Sequence, residues 1–314
     1  MNLSSSSLKV ISVNISTEKG TVKKPVENIQ LTHEGIINDA HAGSWHRMVS
    51  LLGTESFRKF EKEAGRPLAY GEFAENITTE GIILHETAPF DQFQIGDVLL
   101  EVTQIGKKCH GSSCAIFKEV GNCVMPKEGI FARVLNEGVL KPGDKGIYLP
   151  KTFKVMVITL SDRASKGTYE DLSGPALADE LIPFFGMNNW HYNLDRQLIP
   201  DNKDQLSTLL QKAKMESYDM VFTTGGTGIG LRDITPDVVK AHLDVEIPGI
   251  MEQIRHKYGS EKPQALLSRS IAGRMGETLV YALPGSKKAI KEYMSEILLT
   301  LRHLLFMLKG IDIH

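Results

Sequence analysis

Scarce cysteine, little net charge and the lack of a long apolar run bound what this chain can be. Its 314 residues contain three cysteines. An odd count argues against a disulfide framework and fits a reducing cytoplasm. The formal net charge of −2 and a pI near 6.6 give no electrostatic footprint for nucleic acid beyond local basic spots. The longest apolar stretch, near Ile297–Leu308, is interrupted by Arg302 and His303, so no membrane span is expected. The opening residues, MNLSSSSLKVISVNIS, have no basic segment before their apolar ones, and Val10–Ile15 alternates like a strand. They read poorly as a secretory leader, and a cytoplasmic protein is the expectation. There is no internal repeat, and Ser4–Ser7 is the only low-complexity run.

What is present fits a globular protein, with 41% hydrophobic and 24% charged residues. The length exceeds one ordinary core and implies two domains. Up to about residue 150 the pattern is one of short strands. Gly81–His85, Asp97–Ile105 and Lys145–Leu149 are candidates, and Val49–Ala64 is the best helix, stopped by Gly65. Many short strands and few helices predict a β-rich, barrel-like domain. After Leu149-Pro150 strands alternate with helices. Phe153–Leu160, Met220–Thr223 and Thr278–Leu283 read as buried strands. Gly174-Pro175 opens a helix of about ten residues halted near Pro183, and Asp204–Lys214 and Lys288–Leu308 read as further helices. That alternation predicts a mostly parallel sheet wrapped on both faces, with ligands beyond the carboxyl ends of its strands.

The most informative stretch is Tyr218–Val239, YDMVFTTGGTGIGLRDITPDVV. A strand leads into Gly225, Gly226, Gly228 and Gly230, and Thr235-Pro236-Asp237 has the pattern of a helix start, with Thr235 as cap. Free loop amides and a helix dipole suit a phosphate. The loop is neither a Walker A nor a G-x-G-x-x-G, and by itself it reads equally as a tight turn. Its companions are hydroxyls, cations (Arg163, Arg232, Arg269, Lys287) and carboxylates (Asp162, Asp201, Asp233). This half has no cysteine and no G-x-S-x-G elbow, which disfavours acyl-enzyme chemistry. Arginines and amides suit phosphate oxygens, and carboxylates beside them suit Mg2+. The set predicts phosphoryl or nucleotidyl transfer. Plainer readings stay open: Asp201 as the cap of the helix that begins near Asp204, and Asp233 as a turn acid.

In the first half Cys109, Cys114 and Cys123 fall within fifteen positions. Lys107, Lys108 and His110 flank Cys109, which favours its thiolate, a soft ligand for Mo, W, Zn or an Fe–S cluster, or a carrier of persulfide. The spacing is not a standard zinc spacing. His41 and His46 lie five apart in a glycine-interrupted segment, so ordinary hydrogen-bonded histidines are as good a reading as a metal pair. Glu75-Asn76 is a polar pair before a strand.

The motifs SDRASKGTYEDLSGPAL, RQLIPDN, TTGGTGIGLRDITPD, IPGIMEQIR and LLSRSIAGRMGETLVYALPGS, spread over residues 153–309, resemble the molybdopterin adenylyltransferase family, of the MogA and MoaB type and the G domain of gephyrin. The resemblance implies a three-layer α/β fold, commonly trimeric, that moves AMP from Mg-ATP onto the terminal phosphate of molybdopterin with release of pyrophosphate. It implies that Asp201 and Asp233 serve catalysis, Asp233 with Mg2+. It also implies that Thr224, Gly225, Gly226, Thr227 and Gly228 cradle phosphates. Ser161, Asp162, Arg232, Pro248, Gly249, Ser268, Arg269, Pro284, Gly285 and Ser286 would complete the pocket. The earlier motifs GIINDAHAGSWHRMVSLL, GEFAENITTEGI, GDVLLEVTQIGKKCH and GIFARVLNEGVLKPGD resemble the MOSC domain. That implies binding of molybdenum cofactor or its sulfur around Cys109, with His41, Arg47 and Asn76; Cys109 would ligate Mo or W, with Cys114 and Cys123 outside the general pattern. The two resemblances divide the chain into a tail and first strand (1–21), a MOSC-like domain (22–149), a linker (150–153) and an adenylyltransferase-like domain (154–314). The implied partners are molybdopterin and ATP, a homotrimer through the C-terminal domain, and handover to a metal-insertion enzyme or molybdoenzyme, without nucleic acid or membrane. The rival expectations are a non-catalytic cofactor carrier and a sulfur-transfer protein acting through Cys109.

Overall fold

Short β-favouring runs separated by turns pair, in the first half, into a closed barrel. The structure is a computed structural model that describes residues 7–108 and 124–312. Cys109, Cys114 and Cys123, and the thiolate site expected there, lie outside the described residues. The chain forms two units, one up to Lys151 together with the residues after Lys309, the other Thr152–Lys309.

The first unit contains β1 (Ser7–Ile15), β2 (Lys24–Val26), β3 (Ile29–Thr32), β4 (Gly35–Ile36), β5 (Val49–Gly53), β6 (Ile77–Glu80), β7 (Gln92–Ile95), β8 (Val98–Ile105), β9 (Ile130–Asn136), β10 (Gly138–Leu140) and β11 (Lys145–Leu149). Neighbours run β11-β7-β8-β9-β5-β6-β1, and β1 pairs back onto β11, so seven strands close on themselves without a free edge. Pairing is antiparallel except between β5 and β6. Val10, Leu51, Ile77, Phe93, Leu100, Val102 and Ile130 fill the interior.

Two expectations fail here for non-local reasons. Val49–Ala64 is not one helix: Val49–Gly53 is a fully buried strand between β9 and β6, and the helix is Thr54–Ala64. Pairing on both edges overrides the helical spacing of its apolar residues. Gly65 does end that helix, at φ +67°. Gly81–His85 is not a strand. The strand is β6, which ends at Glu80, and Gly81 turns at φ +107° where a Cβ would stand 2.7 Å from the Ser7 carbonyl oxygen.

The second unit is a six-stranded sheet ordered β13-β12-β14-β17-β16-β15. It consists of β12 (Thr152–Leu160), β13 (His191–Ile199), β14 (Met220–Thr224), β15 (Val245–Glu246), β16 (Ile271–Met275) and β17 (Thr278–Leu283). The first four in that order are parallel and the last two pairings antiparallel. Helices Lys203–Met215 and Thr235–His242 pack Leu206, Leu210 and Val239 against Met156, Ile158, Val221 and Val280. Helices Ser173–Met187, Pro248–Gly259 and Lys287–Leu308 complete the unit, the long last helix packing against both of the others. Strand β13 is polar and half-exposed, an edge strand without the apolar run that would reveal it. The helix after Gly174 does not halt at Pro183 but continues to Met187. Pro183 and Asp179, whose carbonyl loses its donor, both lie on the exposed face, while Leu181, Phe184 and Phe185 hold the other face in the core. Among the described residues no helix is long and apolar enough to cross a membrane.

Leu301, wholly buried on the last helix, and Leu299, 76% exposed on its opposite face, give a matched test of this packing. Leu301→Ala is expected to lower unfolding free energy by about 2–5 kcal/mol, and Leu299→Ala by no more than about 0.5 kcal/mol, both read by urea denaturation.

Candidate functional site

The register of the parallel strands brings four loops to one edge. Leu160 lies beside Ile199, Thr159 beside Thr224, and Thr224 beside Leu283. Ser161, Asp201, Gly225 and Pro284 therefore leave the sheet side by side. Ser161, Asp201 and Pro284 border a cleft of about 1010 Å3 whose walls also include Asp162, Thr224, Gly226, Arg232, Asp233 and Gly285. Gly225 (φ +103°) passes so close to β12 that a Cβ would stand 2.4 Å from the Leu160 carbonyl oxygen. Thr235 is not the cap of its helix, which begins at Thr235 after Ile234. Its hydroxyl donates to the Gly225 carbonyl at 2.8 Å, and its N–H to that of Gly226 at 3.1 Å. The threonine straps the glycine loop.

Three carboxylates face this loop. The Asp201 N–H donates to Asp162 Oδ1 (3.1 Å) and the Asp162 N–H to Asp201 Oδ2 (3.4 Å). Asp201 is not a helix cap: Asn202 takes that role, accepting from the Gln205 N–H at 2.9 Å. Asp233 accepts from the Gly230 N–H at 2.8 Å, and Gly228 lies where a Cβ would meet its carboxylate at 2.7 Å. Arg232 reaches Asp162 at 3.5 Å. Burial raises the Asp201 carboxyl above its ordinary range, and the charges of Asp162 and Asp233 add to this against the Asp162 amide and Arg232. A cation would relieve that crowding. Among the described residues no three His, Cys, Asp or Glu side chains close on a metal-sized point, so Mg2+ held here would take its other ligands from substrate phosphates.

A second cleft of about 420 Å3 lies across the loop, bordered by Thr227, Gly228, Ser268, Pro284, Ser286 and Tyr293. Ser286 also borders the first cleft and caps the Lys287–Leu308 helix, accepting from the Ala289 N–H at 3.2 Å. Arg269, expected to hold substrate, is a buckle. Its guanidinium donates to the Gly228 carbonyl (2.7 Å), to the Asp233 carbonyl and to both Asp237 oxygens (2.9 and 3.0 Å). Pro248 and Gly249 open a helix beyond the edge strand and border neither cleft. Residues not picked out from the sequence also border the first cleft. Asp171 accepts from the Ser173 and Gly174 N–H groups (2.9 and 3.0 Å), and the Ser173 hydroxyl donates to the Gly285 carbonyl at 2.5 Å. The Asp–Leu–Ser–Gly–Pro string before a helix was their available signal.

Because Asp201 holds its proton more tightly when folded, its charge opposes folding increasingly as pH rises through that raised pKa. Asp201→Asn is therefore expected to melt higher than the wild type at pH 7 without ligand, and the gain should vanish below the ordinary aspartate range.

In the barrel, Asn76 is a buried hub. Its amide donates to Asp39 (3.1 Å) and to the Asn14 carbonyl (3.2 Å), and its oxygen accepts from the Ser50 N–H (3.1 Å) and hydroxyl (3.0 Å). Lys23 and Asp39 form an ion pair with both side chains fully buried. Burial would raise the Asp39 carboxyl, yet hydrogen bonds from His41 and Lys23 hold it well below the usual range. His41 Nδ1 lies 3.3 Å from Lys23 Nζ. Arg47 sits over the Trp45 ring at 4.9 Å. Glu75, wholly buried, accepts from the Gly71 N–H and from the Thr78 hydroxyl (2.9 Å), and burial pushes its carboxyl up to about 7. A raised folded pKa means stability is lost as pH rises from the ordinary glutamate range towards 7. Glu75→Gln is expected to gain on the wild type over that interval by at most roughly 1.4 kcal/mol per pH unit, read as a difference in thermal or urea stability of the first unit.

Carboxylates and arginine at the carboxyl edge of a parallel sheet make the second unit an α/β protein with a cleft of the kind that suits phosphate oxygens. Comparison with known proteins narrows this. Residues 156–303 match the family described as "Probable molybdopterin binding domain", and residues 38–145 match the MOSC domain. A molybdopterin adenylyltransferase of Helicobacter pylori strain J99 is 37% identical over 150 residues, which are 47% of this chain and 82% of that one. Those of Escherichia coli K12 (37% over 147 residues; 46% and 74%) and Pyrococcus furiosus (38% over 163 residues; 49% and 92%) are similar to the same half. The chain belongs to the molybdopterin adenylyltransferase family through its second unit and carries a MOSC domain in its first.

Proposed function

We propose that the C-terminal domain adenylylates molybdopterin from Mg-ATP in molybdenum cofactor biosynthesis, and that the MOSC domain binds the cofactor or its sulfur. The observation that carries the first part is the meeting of Asp201 and Asp233 beside the glycine loop in one cleft. In the reaction a terminal phosphate oxygen of molybdopterin forms a bond to the α-phosphorus of ATP. The bond from that phosphorus to the β-bridging oxygen breaks, and pyrophosphate leaves with the electron pair. The loop amides around Gly226–Gly228 would bind phosphate oxygens, and Arg232 would neutralise developing charge. Asp233, held by the Gly230 N–H, and Asp201 would hold Mg2+, which when bound supplies charge neutralisation on the phosphates. Arg269 and Thr235 keep the loop in place. The reading extends to a cytoplasmic homotrimer that hands its product to a metal-insertion enzyme or molybdoenzyme.

The test mixes purified protein with Mg-ATP and molybdopterin and measures pyrophosphate. Release is expected, falling on the order of 100-fold in Asp233→Asn. No release above that variant, with tight pterin binding retained, would leave a cofactor carrier instead. Saturating Mg-ATP should also stabilise the protein, by about 2.7 kcal/mol at a hundred times its Kd.

A further inference from the structure

Two large apolar side chains border the first cleft of the second unit while standing exposed: Tyr169, 54% exposed, and Leu231, wholly so. Neither joins the core, and neither carries a charge that phosphate oxygens would need. The backbone on both sides of Tyr169 is tied down. Before it, the Thr168 N–H and hydroxyl both donate to the Arg163 carbonyl (3.0 and 2.8 Å), and the Gly167 N–H donates to the Ala164 carbonyl (2.9 Å) in a turn at φ +71°. After it, Asp171 accepts from the Thr159 hydroxyl near the end of β12 (3.0 Å) as well as from the start of the following helix. The Arg163 guanidinium lies over the Tyr169 ring, 5.4 Å from its centroid. A ring held through its backbone, with a cation over one face, has its other face left for a ligand.

The ring also stands close to the charged groups. Arg163 directly follows Asp162 in the chain, and Asp162 exchanges hydrogen bonds with Asp201 and pairs with Arg232. One short turn therefore carries both a member of the carboxylate cluster and the cation that backs the ring. At about 1010 Å3 the cleft is of the size that encloses a whole small-molecule ligand rather than its phosphates alone. We propose that Tyr169 is a specificity-determining shelf on which the flat nitrogen heterocycle of a phosphorylated ligand stacks, with Leu231 as a further apolar contact. That heterocycle is the adenine of ATP or the pterin of molybdopterin. The inference rests on the reading of this cleft as the adenylylation site, and it names the side chain that tells a ring-bearing phosphate from a bare one. Stacking uses the face of the ring and not its hydroxyl, so phenylalanine should serve in its place.

The test measures binding of Mg-ATP, molybdopterin and magnesium tripolyphosphate to the full-length protein by calorimetry, in wild type, Tyr169→Ala and Tyr169→Phe. Tyr169→Ala is expected to weaken a ring-bearing ligand by about tenfold, and Tyr169→Phe to keep the wild-type affinity. Tripolyphosphate, which has no ring, should bind all three proteins alike, which also shows that they remain folded. A loss confined to Mg-ATP assigns adenine to the shelf, and one confined to molybdopterin assigns the pterin; a fall in both still supports a ring shelf. Unchanged affinity for both ring-bearing ligands in Tyr169→Ala, or tripolyphosphate weakened as much as they are, overturns the inference. Wild-type protein that binds molybdopterin but not Mg-ATP sinks the adenylylation reading instead, and the molybdopterin arm alone then decides the shelf. Binding of neither by the wild type overturns both.

Discussion

The closeness of Gly225 to the Leu160 carbonyl is the constraint on which the second unit's cleft depends. No side chain fits there, and the positive φ turns the chain sharply as it leaves β14. The loop that follows is then fastened from three sides. Thr235 bonds to it from the next helix, the Gly225 N–H donates to the Leu283 carbonyl at the end of β17, and the Arg269 guanidinium closes its far end. These contacts fix the backbone without covering the cleft. A loop held by its own carbonyls keeps N–H groups available for an anion, the preorganisation that charge stabilisation requires.

The barrel solves a different problem. Closing seven strands removes exposed edges, and the first unit buries polar side chains as well as apolar ones. Asn76 there joins Asn14, Asp39 and Ser50 in one network. Lys23 and Asp39 are tolerated as buried charges because each faces the other and further donors surround the carboxylate. Glu75 is buried without an ion pair among the described residues, and its second oxygen has no hydrogen-bond partner there, so it keeps its proton more tightly. This network backs the loop that carries His41, Trp45 and Arg47, so the ordering of that loop rests on interactions far apart in sequence.

Much of the architecture was legible because local patterns determine local structure. Thr278–Leu283 and Lys145–Leu149 are strands with the bounds their apolar and turn residues suggest, and the helix expected over Lys288–Leu308 is displaced by one residue at its start. The glycine string with its flanking acids could be located without coordinates, because few other arrangements use so many small residues beside charge. What was hidden depends on partners. Val49–Gly53 leads straight into residues at helical spacing and is a strand because it pairs with β6 and β9 on its two edges. Strand β13 is an edge strand whose residues look like a loop.

By itself the sequence determined the class of each half, the alternation of strand and helix in the second, and the chemical identity of the groups near the glycine loop. These follow from periodicity, turn chemistry and side-chain type, which act over a few residues. Only the tertiary structure decided which of those groups meet. It took Asp201 from helix capping to the shared cleft, made Arg269 a fastener, and set Pro248 and Gly249 apart from both clefts. The reason is physical: a carboxylate or guanidinium has the same covalent structure everywhere, and its role is settled by the hydrogen-bond partners and burial that distant strands supply.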